Sequence, residues 1–241
     1  MNTVNPIENL YLTFSKYTTS NMHYCDCGCI DPEDVKKLAS KKLRDLEEDD
    51  FSSYHGSAMY TWGDLEHYKH FLPRVLEVYH QKGDSALIGL FDIISKLKYA
   101  EWETWDPAEV NAIKDFIYAN WIVFINENES YVDSHHLGYY SFFFDLNDLI
   151  DVWDLSQKQN AIKNFVQFFY NYGNELLQKG LKINGVLRND ILDQLILKKG
   201  LLSILESEFF NVSENDSEYA QQISVVLQII EVELKFKHSN S

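Results

Sequence analysis

Apolar residues recur along this chain at spacings of three and four, the period of an amphipathic helix. Ile7, Leu10, Tyr11 and Phe14 share one face over residues 5–18. Asp31-Pro32-Glu33-Asp34 reads as a helix start, with Asp as cap, Pro in the first turn and acids at the positive end. Val35, Leu38, Leu43 and Leu46 carry that helix to about Leu46. Glu47 to Asp50 reads as a solvated acidic break, and a helix follows from Phe51 to about Tyr60. Tyr54 to Val78 is the stretch around which the chain is organised. Trp62-Gly63-Asp64 supplies a turn and an N-cap, and Leu65, Tyr68, Phe71 and Leu72 start a helix. Pro73 lacks an N–H and is expected to kink or restart it, after which Val75, Leu76 and Tyr79 resume the apolar face. Arg74, beside the proline, is one of three arginines, and its planar fork suits carbonyls or the Glu77 carboxylate. Gly83 closes the helix, and Asp84 or Ser85 caps the next, Ala86 to Tyr99.

Asp106-Pro107-Ala108-Glu109 combines cap, first-turn proline and a Glu that can reach back to the cap. Val110, Ile113, Ile117, Trp121 and Phe124 continue that helix to a loop over residues 126–138. Tyr139 to Trp153 is aromatic and acidic. Ser156 caps a long helix ending near Gly180, and Asn184-Gly185 is a turn. Helices over 189–199, 200–210 and 217–236 follow, with the last four residues fraying. The expected fold is all-α, with about nine or ten helices in a bundle or a short HEAT-like right-handed α-solenoid. Residues 1–241 are expected to form one domain, with a candidate sub-division near 126–138.

Composition supports helices. Ten glycines and four prolines in 241 residues are too few for a turn-rich β-sandwich, and an apolar fraction of 45% can fill a sizeable core. No apolar run is long enough to span a membrane, and the N-terminus lacks a basic, apolar leader. A cytoplasmic location is the expectation. Three clustered cysteines with no others cannot form a disulfide framework.

Those cysteines are the chain's one group of soft ligands. His23, Cys25, Cys27 and Cys29 could close a tetrahedral Zn²⁺ site, and Zn²⁺ is the candidate cofactor. Alternate residues of an extended chain point to opposite sides, so the cluster requires a tight turn, which Gly28 can supply. His67 or His70 are alternative fourth ligands.

The cysteine cluster, then Trp62-Gly63-Asp64, then Phe71-Leu72-Pro73-Arg74 with Glu77, resembles a family of uncharacterised bacterial α-helical proteins. That family combines an N-terminal C-x-C cluster with an F-L-P-R motif. The resemblance covers about the first half of the chain. It implies a bacterial origin and a helical fold. It brings no activity, so no functional residue is carried over.

Charge changes the picture most. The chain has a formal net charge of −16, which argues against nucleic acid as a partner. Residues 101–154 hold twelve acids and one cation, Lys114, a net of −11. Such a block self-repels and calls for a compensating role. Asp145, Asp148, Asp151 and Asp154 recur every third residue, near Trp105, Tyr139 and Tyr140. Carboxylates around aromatic anchors suit a basic protein partner. The expected function is an acidic interaction module, of the kind in which an immunity protein covers a cationic bacterial toxin. The alternatives are a metal-dependent hydrolase using histidines and carboxylates near residues 55–70 or 133–151, among them His67, His70, His135 and His136, or a non-inhibitory scaffold.

Overall fold

The computed structural model describes residues 5–156 and 158–239, apart from the side chain of His238. The fold is predominantly all-α. Twelve α-helices and one two-stranded sheet lie among the described residues, which form two compact units, Met1–Tyr118 and Ala119–Ser241. The boundary falls inside the sixth helix, upstream of the 126–138 loop. No helix is long and apolar enough to cross a membrane.

The first unit holds α1 (Pro6–Phe14), α2 (Pro32–Ala39), α3 (Glu48–Ser57), α4 (Leu65–Lys82), α5 (Leu90–Tyr99) and the first turns of α6 (Pro107–Asn126). Helix α4 is buried on most of its circumference, as expected of a helix at the centre of a core. It runs as one element through Pro73, so the expected restart does not occur. Arg74 donates from Nε to the Leu46 carbonyl at 2.7 Å and from a terminal nitrogen to Glu77 at 2.7 Å. Glu77 also accepts from the Tyr11 hydroxyl at 2.6 Å, which ties α4 to α1. Trp62 is buried edge-on against Tyr54, with ring centroids 5.3 Å apart.

Several local expectations need correction. Helix α2 ends at Ala39, and Leu43–Asp45 forms a separate 3-10 turn rather than its last turn. Helix α5 begins at Leu90 behind Gly89, not at Ala86. The acidic break at 47–50 is only half solvated: Glu47 and Asp49 are exposed, but Glu48 opens α3 and both Glu48 and Asp50 are buried. Glu48 accepts from Lys82 at 2.6 Å, from the Ile88 N–H at 3.2 Å and from the Leu87 N–H. Asp50 accepts from Lys41 at 2.6 Å and from the Glu47 N–H at 2.7 Å. Apart from the Glu47 N–H, these donors come from other segments, which a local count of charges does not see.

The second unit holds the end of α6, then α7 (Ser134–Tyr140), α8 (Leu146–Asp151), α9 (Gln159–Lys179), α10 (Asp190–Ile196), α11 (Leu201–Val212) and α12 (Ser217–Ser239). Helix α12 packs on α9 and α11, while α10 packs on α8 and α9. Lys158, not Ser156, occupies the cap position of α9. The Asn184-Gly185 turn joins two strands absent from the sequence reading, β1 (Leu181–Ile183) and β2 (Val186–Arg188). Both turn residues have positive φ, the geometry that matches strand twist in a two-residue hairpin. The Asn184 amide also donates to the Gly138 carbonyl at 2.8 Å, which fixes the turn against α7. Of the C-terminal residues expected to fray, 240 and 241 lie outside the described residues.

Candidate functional site

The cysteine cluster sits in the loop between α1 and α2. Two backbone hydrogen bonds pin that loop to the turn before α4: Cys25 N–H donates to Thr61 O at 2.8 Å, and Gly63 N–H to His23 O at 2.7 Å. Gly28 takes a φ of +87°, a conformation costly for side-chain-bearing residues, and turns Cys27 and Cys29 toward each other. Their sulfurs lie 3.0 Å apart, and the Cys27 N–H donates to the Cys25 sulfur at 3.4 Å. All three sulfurs fall within 4.8 Å of one another, so the group could hold a metal ion. All three thiols are free.

Proximity splits their acidities. Hydrogen bonds from Cys25 and Cys29 draw Cys27 down to about 7. The bond to Cys27 pushes Cys29 up to about 11. One thiolate is therefore accessible near neutral pH, and it is the thiolate that ligates a metal or attacks an electrophile.

His23 does not complete this group. Its carbonyl pins the loop, and its ring lies outside the cluster. His67 and His70 do not complete it either. His67 Nε2 meets Ser20 O at 3.1 Å and its Nδ1 lies 2.7 Å from the Asp64 carboxylate, which caps α4. His70 Nδ1 meets Tyr17 O at 2.9 Å. Asp133 caps α7 and accepts from the N–H groups of His135 and His136 at 2.8 and 2.9 Å. These histidines and carboxylates serve helix starts and packing. Among the described residues, only the three cysteines form a group of metal-holding geometry.

The acidic block separates into distinct roles. Glu109, read from sequence as a capping residue, is instead buried and accepts from Tyr17 at 2.5 Å, Lys69 at 2.6 Å and Lys16 at 2.8 Å. Glu127 and Glu129 pair with Lys158 and Lys163. Asp145 caps α8, and Asp154 accepts from Ser156. Asp145, Asp148, Asp151 and Asp154 are all exposed, and no ion pair reaches them among the described residues.

Two of the three aromatic residues expected beside them are not available to a partner. Tyr140 is 0% exposed, donates to Asn120 and packs on Trp121 with ring centroids 4.6 Å apart. Trp105 is 7% exposed, donates to Ala100 O at 2.9 Å and carries the Lys69 ammonium 4.2 Å from its ring centroid. Each ring fills its own unit's core because a large apolar surface gains more from burial than from display. Tyr139 is half-buried.

The sequence places His55 only within the 55–70 span of histidines and carboxylates, and gives Lys96, Glu48 and Asp50 no individual role. A signal existed for two of them. His55 falls on the apolar stripe of Phe51, Tyr54 and Ala58, and Lys96 on that of Ile93 and Leu97. A polar residue on an apolar stripe marks a buried group that needs partners.

Comparison of the chain with protein-family models, curated proteins and solved structures found no match.

Proposed function

We propose that this protein is an acidic interaction module that docks a basic partner protein through the α8 rim. The manner is that of an immunity protein covering a cationic toxin surface. The observation that supports this reading is the exposed row of Asp145, Asp148 and Asp151, free of direct ion pairs among the described residues although Arg188 and Lys198 act on Asp145 and Asp151 from further off, on a chain of net charge −16. Spacing by three keeps neighbouring carboxylates on one flank, while Leu146, Leu149 and Ile150 face the core. Capture from a source lysate tests it. The D145N/D148N/D151N variant is expected to lose the partner that the unaltered protein retains, and capture should fall steeply with salt. Capture that survives both changes removes the basis of the reading.

A second reading rests on the three sulfurs. Zn²⁺ fits three thiolates, with the fourth position supplied from outside the cluster. Free thiols and a ligand set of this type suit a reducing, cytoplasmic compartment. Protein purified without a histidine tag is expected to carry stoichiometric zinc by mass spectrometry. Cys27→Ser should abolish it and His23→Ala should leave it unchanged. Zinc retained in the Cys27 variant would rule the site out.

A further inference from the structure

A cavity of about 360 Å³ lies in the first unit between α3 and α5. That volume is at the small end of the range that takes organic ligands. His55, Lys96 and Asp92 line it, with buried Ile88 and an open rim of exposed Tyr60 and Leu87 as its apolar part.

His55 lacks the hydrogen-bond partners that burial demands, and Lys96 lacks an anionic one. His55 is 4% exposed, and neither Nδ1 nor Nε2 is hydrogen-bonded. The Asp92 backbone approaches the ring closely enough to favour its charged form, but forms no hydrogen bond of acceptable geometry with it. Burial outweighs that approach and pushes the imidazole down to about 4. It is therefore neutral at pH 7, with one donor and one acceptor nitrogen.

Lys96 is 7% exposed. Its ammonium donates to the carbonyls of Gly56 and Ala58, both at 2.9 Å, and sits 4.0 Å from the Tyr60 ring centroid. Two of its three protons are thus used. No carboxylate pairs with it among the described residues. Asp92 lines the same cavity, but its side chain accepts from the Gly89 N–H at 3.2 Å. A buried cation is ordinarily matched by an anion.

We infer that this cavity binds a small planar organic monocarboxylate, with Lys96 and His55 as its polar contacts. The carboxylate takes the third proton of Lys96. A ring heteroatom or the second carboxylate oxygen takes the His55 imidazole. Tyr60, Leu87 and Ile88 accommodate the flat apolar body, and Tyr60 is itself backed by Tyr99 at a centroid distance of 4.4 Å. A single cation beside Asp92 favours one negative charge over two, which selects against phosphate esters and dicarboxylates. This site is independent of the α8 rim and of the three cysteines.

NMR titration tests it on the intact chain. Long-range ¹H–¹⁵N correlation reports the His55 ring nitrogens directly. The probes are benzoate, nicotinate and indole-3-carboxylate, each beside its neutral primary amide. At least one carboxylate is expected to shift the His55 ring signals saturably in the millimolar range, with its amide roughly tenfold weaker or worse. Lys96→Met is expected to weaken that carboxylate by roughly tenfold or more, and Lys96→Arg to recover part of the loss. The carboxylate–amide comparison needs no variant, so it stands even if Lys96→Met folds poorly. The inference is overturned if no carboxylate shifts the His55 signals, or if the amides bind as tightly. Either result makes the cavity a hydrated gap and leaves the α8 proposal untouched.

Discussion

Glu109→Gln is expected to destabilise the protein by about 3–5 kcal/mol, the usual effect of removing one partner from a buried ion pair. Glu109 is fully buried and gathers the Tyr17 hydroxyl and the Lys69 and Lys16 ammonium groups. Lys69 is itself buried, so neutralising the carboxylate leaves its cation without an anion, held only by neutral acceptors (the Gln amide oxygen and the Tyr17 hydroxyl at 3.3 Å) and two aromatic faces. Lys16 is exposed and can turn to solvent, so it adds little to the loss. Urea unfolding measures the effect. The double variant Glu109→Gln, Lys69→Met should recover much of the stability, because removing both charges costs less than stranding one. A single variant within about 1 kcal/mol of the unaltered protein would show that the network contributes little beyond packing.

Acidification from pH 7 to 4 should cost about 3 kcal/mol of stability through His55 alone. Its ordinary value is 6.5 and burial lowers it to about 4. Each unit is worth about 1.4 kcal/mol. The sign follows from proton binding. Below 6.5 the unfolded chain takes up a proton that the folded state refuses, so stability falls until the folded group titrates near 4. Burial holds His70 and His80 below their ordinary value as well, and they contribute in the same direction.

The buried carboxylates respond at lower pH. Burial alone would raise Glu48, Asp50 and Glu109, but the lysine and backbone or tyrosine donors outweigh it and hold all three below the ordinary carboxylate range. Their contribution is complete above that range, begins to be lost as the pH falls through it, and is gone once the folded groups protonate. Thermal or urea midpoints between pH 7 and 5, above the carboxylate range, should therefore lose part of their slope in His55→Gln, with His70 and His80 supplying the remainder. An unchanged slope in that variant would assign the transition elsewhere.

These two effects rest on residues that a local reading of the chain misplaces. Asp106-Pro107 starts α6 where its pattern predicts, because a cap and a first-turn proline act within a few residues. Asp64 and Gly83 bound α4 for the same reason. Glu109 belongs to that same local pattern and yet leaves it, because Lys69 and Tyr17, distant in sequence, hold it more strongly than the backbone at its own helix start. The candidate metal group shows the same division. Its three sulfurs and the Gly28 turn lie within five residues and could be read together, whereas the expected fourth ligand, His23, lies outside the group. The acidic block was visible as a count. Its division into caps, lysine pairs, a buried network and an exposed row was not.

Helix content, the Asp-capped starts of α2, α4 and α6, and the soft-ligand triad follow from the order of residues, since each depends on neighbours one to seven positions apart. The buried state of Glu48, Asp50 and Glu109, the interior positions of Trp105 and Tyr140, and the cavity that brings His55 and Lys96 together between α3 and α5 arose only on folding. Burial and charge pairing depend on which surfaces meet, and those surfaces come from segments tens of residues apart.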